Sequence, residues 1–159
     1  MYCFQCQETA KNAGCTVKGV CGKVENTANL QDLLIFVLKG IAVYAEKLGA
    51  FGLHDRDTGL FTAKALFATI TNANWDDDRF IALIREALQR RAALRERFLW
   101  VYKNRTGKAF DGVLPDAATW SSDDPAAFAE KAKAVGILST ANEDVRSLRE
   151  LLIIGLKGI

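Results

Sequence analysis

Four cysteines, Cys3, Cys6, Cys15 and Cys21, fall within the first 21 residues of a 159-residue chain, and the rest of the chain contains none. Thiols serve proteins as cross-links, as redox groups and as metal ligands. Bridges that staple a fold join distant segments, because closing long loops constrains the unfolded chain most. Here any pairing closes only a short loop. The opening Met1-Tyr2-Cys3-Phe4 has no basic stretch followed by an apolar one, so it does not read as a secretory signal. A reducing, cytoplasmic compartment is expected. The favoured arrangement is four thiolates converging on one metal centre.

The spacing is Cys3-x2-Cys6-x8-Cys15-x5-Cys21. Zinc sites usually show two tight cysteine pairs from separate segments, whereas here the second pair is spread and one loop supplies all four ligands. That suits a larger object such as an iron–sulfur cubane, whose ligands arrive from several directions. Gly14, Gly19 and Gly22 allow the tight turns such a loop needs. Lys11, Lys18 and Lys23 face only Glu8 in residues 1–24, and cations near cluster sulfurs stabilise the reduced form. Each lysine taken singly reads as a solvated loop cation. Tyr2, Phe4, Val17 and Val20 offer an apolar screen. The residues by themselves leave structural zinc and redox thiols open as alternatives.

Helices must position this loop. Leu30, Leu33, Leu34, Val37, Leu38, Ile41, Ala45 and Leu48 recur at helical spacing, with Thr27 or Asn29 as the expected cap and Gly49 or Gly52 as the stop. A polar loop over 53–57 precedes a shorter helix over 60–71 presenting Phe61, Leu66, Phe67 and Ile70. Asn74-Trp75-Asp76-Asp77 reads as the start of a helix over 78–103, with acids near its positive end. Its stripe is Phe80, Ile84, Ala87, Leu88, Leu94, Phe98, Val101 and Tyr102. Its charged face interleaves Arg85, Glu86, Arg90, Arg95, Glu96 and Arg97 and reads as solvated. Residues 104–123 read as loop, and Pro125 opens a short helix over 126–135. A last helix starts between Asn142 and Ser147, with Ser147 and Glu150 spaced as a capping box. No alternating strand pattern is present, so the fold class is all-α.

Residues 30–41 and 148–159 are identical at eight of twelve positions, ending alike in Leu-Lys-Gly-Ile. This echo reads as a duplication: 1–26 as a cluster-binding loop, 27–140 as a three-helix-bundle-type domain, and 141–159 as the first helix of a second, incomplete bundle. Trp75, Trp100 and Trp120 are expected in the core, and Lys39 and Lys157 are expected to snorkel along the bundle.

The composition is that of a globular domain: 50% hydrophobic, 25% charged, net charge +2. It points to no nucleic-acid partner. The apolar run over 33–38 is far shorter than the roughly 20 residues of a membrane span, so none is expected.

Cys3-Phe4-Gln5-Cys6-Gln7-Glu8-Thr9-Ala10, Gly14-Cys15-Thr16 and Gly19-Val20-Cys21-Gly22-Lys23 together resemble the N-terminal portion of the hybrid cluster proteins, also called prismane proteins or hydroxylamine reductases. The stretches 29–41, 68–75 and 144–159 resemble them too. The resemblance implies a [4Fe-4S] cubane on Cys3, Cys6, Cys15 and Cys21, and a first domain of two three-helix bundles. It implies a redox donor protein as partner, and reduction of hydroxylamine to ammonia and water, with nitric oxide as another substrate class. It further implies a chain roughly three times this length. There the hybrid iron–sulfur–oxygen cluster takes His, Glu and Cys ligands from later α/β domains that these residues do not include. On that basis these 159 residues alone are not expected to be catalytically complete. His54 stands in a charged loop, is expected to be solvated, and is assigned no role. The rival from another class is a helical interaction module with a structural zinc knot.

Overall fold

The computed structural model describes residues 1–71 and 73–158. Among them are six α-helices and no β-strand: α1 (Glu25–Gly49), α2 (Arg56–Ala68), α3 (Asp77–Thr106), α4 (Asp116–Thr119), α5 (Pro125–Val135) and α6 (Glu143–Lys157). Short 3₁₀ turns occupy Ala10–Asn12 and Ile137–Ser139. The all-α expectation holds.

The helical spacing of α1 sets the core. Leu33, Leu34, Val37 and Tyr44 are fully buried against α3, with α4 and α5 alongside. From α3 come Phe80, Ile84, Ala87, Leu94 and Phe98; Phe61 and Ala65 come from α2, and Phe128 and Ala132 from α5. Each large side chain so buried contributes on the order of 1.5–3 kcal/mol. By length and composition α1 is apolar enough to cross a membrane, contrary to what its short uninterrupted run suggests. Here its apolar residues form the centre of this core.

The region expected as loop contains α4, a single turn pressed onto α1 at Gly40. A Cβ at Gly40 would lie 1.9 Å from the Ala117 carbonyl oxygen, so only glycine admits this approach. The α4 carbonyls are satisfied from the core. Tyr44 Oη donates to Ala118 O at 3.1 Å, and the buried Arg91 donates to Ala117 O at 2.7 Å and to Trp120 O. A guanidinium at the negative end of a helix is favourable. Burial nonetheless holds the Arg91 pKa below its ordinary value.

Several ends differ from expectation. Val24 precedes α1 and no side chain caps it. Thr27 and Asn26 instead donate to the Asp77 carboxylate at 2.6 and 2.7 Å, which joins the first turns of α1 and α3. The second helix starts four residues early, at Arg56, because Asp55 accepts from Thr58 N–H. Asp76 caps α3 in the same way through Arg79 N–H. Asn142 caps α6 through Val145 N–H, so the Ser147–Glu150 box is not used. Phe67, Trp75 and Trp100 are exposed, and only Trp120 reaches the core, between Phe36 and Phe128. His54 is exposed, as expected.

The echo helices meet opposite surroundings. Leu30, Leu33 and Leu34 are buried in α1, but their counterparts Leu148, Leu151 and Leu152 are 64–68% exposed in α6. Lys39 is exposed in α1, whereas Lys157 is buried rather than snorkelling. Ile159, the last echo position, and Asn72 lie outside the described residues.

Gly40→Ala is expected to cost about 1–3 kcal/mol, because α4 must retreat from the new methyl. Gly59→Ala, on α2 with nothing within 4 Å of its Cβ, is expected to gain about 0.5–1 kcal/mol. Denaturant titration of the two variants should move the midpoint in opposite directions.

Candidate metal centre

The cysteine loop is tied by its own backbone. Cys3 and Cys15 exchange both hydrogen bonds of an antiparallel bridge, N–H to O at 3.0 and 2.8 Å. Thr9 secures the intervening turn, its N–H donating to Cys6 O at 3.2 Å and its hydroxyl to Cys3 O at 3.1 Å. Gly14 adopts φ +128° and packs against the Tyr2 ring, where a Cβ would meet ring carbon at 2.5 Å. Beyond it, Gly19 N–H donates to Lys23 O at 2.8 Å and closes a turn round Cys21. Cys21 is exposed, Cys3 and Cys6 are partly exposed, and Cys15 is buried. None of the four forms a disulfide.

Two of the sulfurs have polar neighbours suited to a thiolate. Ala10 N–H donates to Cys15 Sγ at 3.4 Å. This donor, with a second from Val20 N–H, holds the Cys15 pKa below its ordinary value. Lys23 Nζ lies 3.9 Å from Cys3 Sγ and donates to Gln31 Oε1 at 2.7 Å. Lys23 is only 3% exposed, so the one lysine beside a sulfur is not the solvated cation expected. Lys11 and Lys18 are exposed as expected. Val17 and Val20 also face solvent and do not screen the loop; Tyr2 and Phe4 stack on each other, partly buried.

A second cation approaches from the far end of the chain. Lys157 Nζ donates to Gln5 Oε1, between Cys3 and Cys6, at 3.1 Å and to Thr69 O at 3.4 Å. It is also 3% exposed. Burial lowers its pKa from 10.5 to about 8, against the pull of Glu150 and with a further push from Lys23. Among the described residues, neither Lys23 nor Lys157 forms an ion pair with a carboxylate. Glu150 and Asp32 act on Lys157, and Asp32 on Lys23, only at longer range, and a buried cation with no counter-charge in contact is costly. The loop is therefore chemically suited to an anionic, thiolate-ligated group. No three His, Cys, Asp or Glu side chains gather round a single ion-sized point among the described residues.

Sequence reasoning found the four cysteines and missed Thr9, Gln5, Gln31 and Lys157. Gln31 left one readable signal, a polar residue beside the apolar stripe of α1. Trp75 lines a small open hollow with Cys21, Gly22, Val24 and Thr27, a position no local pattern indicates.

The whole chain, residues 1–159, matches the Prismane/CO dehydrogenase family and belongs to it. The sequence is 69% identical over 159 residues to a hydroxylamine reductase of Nitratidesulfovibrio vulgaris and 58% identical over 161 residues to one of Desulfosudis oleivorans. It is 55% identical over 159 residues to one of Halothermothrix orenii. All of this chain is covered each time, but only 29%, 28% and 29% of those relatives. The chain is thus homologous to the N-terminal region of hydroxylamine reductases and spans under a third of their length.

Asp32 on α1 faces Glu150, and burial with that like charge raises its pKa from 3.8 to about 7, with Lys157 and Lys23 opposing. The folded chain binds an extra proton between those values. That contribution to stability is complete below pH 3.8 and is lost as pH rises through 7. Asp32→Asn is expected to match the parent near pH 4 and to exceed it at pH 8 in denaturation midpoint. A difference that stays constant across this range would contradict the assignment.

Proposed function

We propose that this chain is the electron-transfer portion of a hydroxylamine-reductase-type protein, holding a [4Fe-4S] cluster on Cys3, Cys6, Cys15 and Cys21. The observation that carries the reading is the buried ammonium of Lys23 against the Cys3 sulfur, with no carboxylate in contact with it among the described residues. A site with negative charge in it removes the cost of that burial. Thiolates have a strong affinity for iron, and a cluster spreads its four ligands wider than one ion does.

When bound, the cluster supplies one-electron transfer. The chain's own residues do the rest. In this reading the Cys3–Cys15 bridge would hold two ligands, the Thr9 turn Cys6, and the Gly19–Lys23 turn Cys21. Cys21, on the exposed side, marks where a redox donor protein would approach. In this reading residues 27–140 form the bundle behind the loop. Residues 141–159 open a second bundle, whose further helices would cover Leu148, Leu151 and Leu152. Reduction of hydroxylamine to ammonia and water, and any nitric oxide chemistry, would take place at a hybrid cluster ligated outside these residues. A cytoplasmic location accords with ligands that must stay reduced.

Anaerobically prepared protein is expected to be brown and to hold about four irons and four acid-labile sulfides per chain. Cys15→Ala is expected to abolish most of that iron. A colourless protein holding one zinc, or four thiols that all alkylate in fresh anaerobic protein, would overturn the proposal.

A further inference from the structure

We infer that Lys23 is a tuning residue: its buried ammonium, held by Gln31 beside Cys3, raises the reduction potential of the cluster, with Lys157 adding to the effect through Gln5. This rests on the cluster reading above and goes beyond it, since a ligand set alone does not fix a potential.

The geometry separates two of the chain's lysines from the others. Lys11 and Lys18 stand in water, where a charge is screened within about 8 Å at physiological salt. Lys23 and Lys157 are withdrawn from water and anchored by neutral amides and a carbonyl rather than by carboxylates. Their charge therefore remains available to act on whatever lies beyond the sulfurs. With four thiolates, a [4Fe–4S]²⁺ core has two net negative charges. One electron from a donor makes that three, with no proton or ligand exchanged. A cation a few ångströms away, in a medium less polarisable than water, stabilises the more negative form more strongly. The equilibrium thus shifts toward reduction.

The two lysines are not equivalent. Lys23 approaches a ligand sulfur directly at 3.9 Å. Lys157 touches Gln5, between two ligands, and the Thr69 carbonyl after α2, so it also holds the loop, α2 and α6 together. Its removal is expected to move the potential less and to loosen α6.

The test is an anaerobic dithionite titration of the reconstituted full chain, followed by electron paramagnetic resonance, with iron and sulfide measured on each sample. In Lys23→Met the reduction equilibrium constant is expected to fall about tenfold, ~59 mV for a one-electron couple. Lys23→Arg is expected to stay near the parent, and Lys11→Met and Lys18→Met are expected to shift it far less. Loss of the cluster in Lys23→Met with retention in Lys23→Arg overturns the tuning role, since the charge then serves to hold the cluster rather than to set its potential. A fully loaded Lys23→Met at the parent potential overturns the inference and leaves the cluster reading standing. Failure of both Lys23 variants to load also overturns it, because shape and not charge is then required. A parent chain that takes up no iron and sulfide sinks the cluster reading itself.

Discussion

A charge removed from water has to meet an opposite charge or lose its ionisation. That constraint governs the N-terminal end of this molecule. Lys23 is buried between Gln31 of α1 and the Cys3 sulfur, and its hydrogen-bond partners among the described residues are neutral or sulfur. Lys157 is in the same position on the other side of Gln5. Two ammoniums converging on one thiol-rich loop, with Asp32 and Glu150 as their more distant counter-charges, are stabilised by negative charge in the loop. Four thiolates round an iron–sulfur core would supply it. The energetics of the loop and the identity of its ligand are thus one question.

The helices answer a different requirement. A loop of 24 residues without a helix of useful length lacks a core of its own, so it needs a rigid surface to lie on. α1 provides it, because its stripe is wide enough to pack α3, α4 and α5 at once. The Thr27–Asp77 and Asn26–Asp77 bonds lock the first turns of α1 and α3 together immediately behind the loop. Gly40 lets α4 approach, and Arg91 and Tyr44 satisfy its carbonyls. The polar groups that hold the loop, Gln31 and Lys157, come from helix faces that the core leaves unused.

The two echo helices show how far a repeated sequence determines its environment. The same leucines are core in α1 and exposed in α6, because burial depends on what lies opposite and not on the residue alone. The lysine of the shared Leu-Lys-Gly-Ile likewise faces solvent at position 39 and is buried at position 157. The family relatives are more than three times as long as this chain.

The sequence by itself determined the all-α class, the apolar stripes, the clustering of the four cysteines in one loop and the helix start at Asn74–Asp77. These follow from spacing along one stretch of chain, where a period of 3.6 or a side chain three residues from an amide carries the information. It also carried the family resemblance, because cysteine spacing and the residues between them are local text. Only the tertiary structure decided that Lys23 and not Lys18 would be buried, that Gln5 would meet Lys157 across 152 positions, and that Trp75 would stand beside Cys21. Those outcomes depend on which distant surface closes over a residue. No residue type or local pattern encodes that surface.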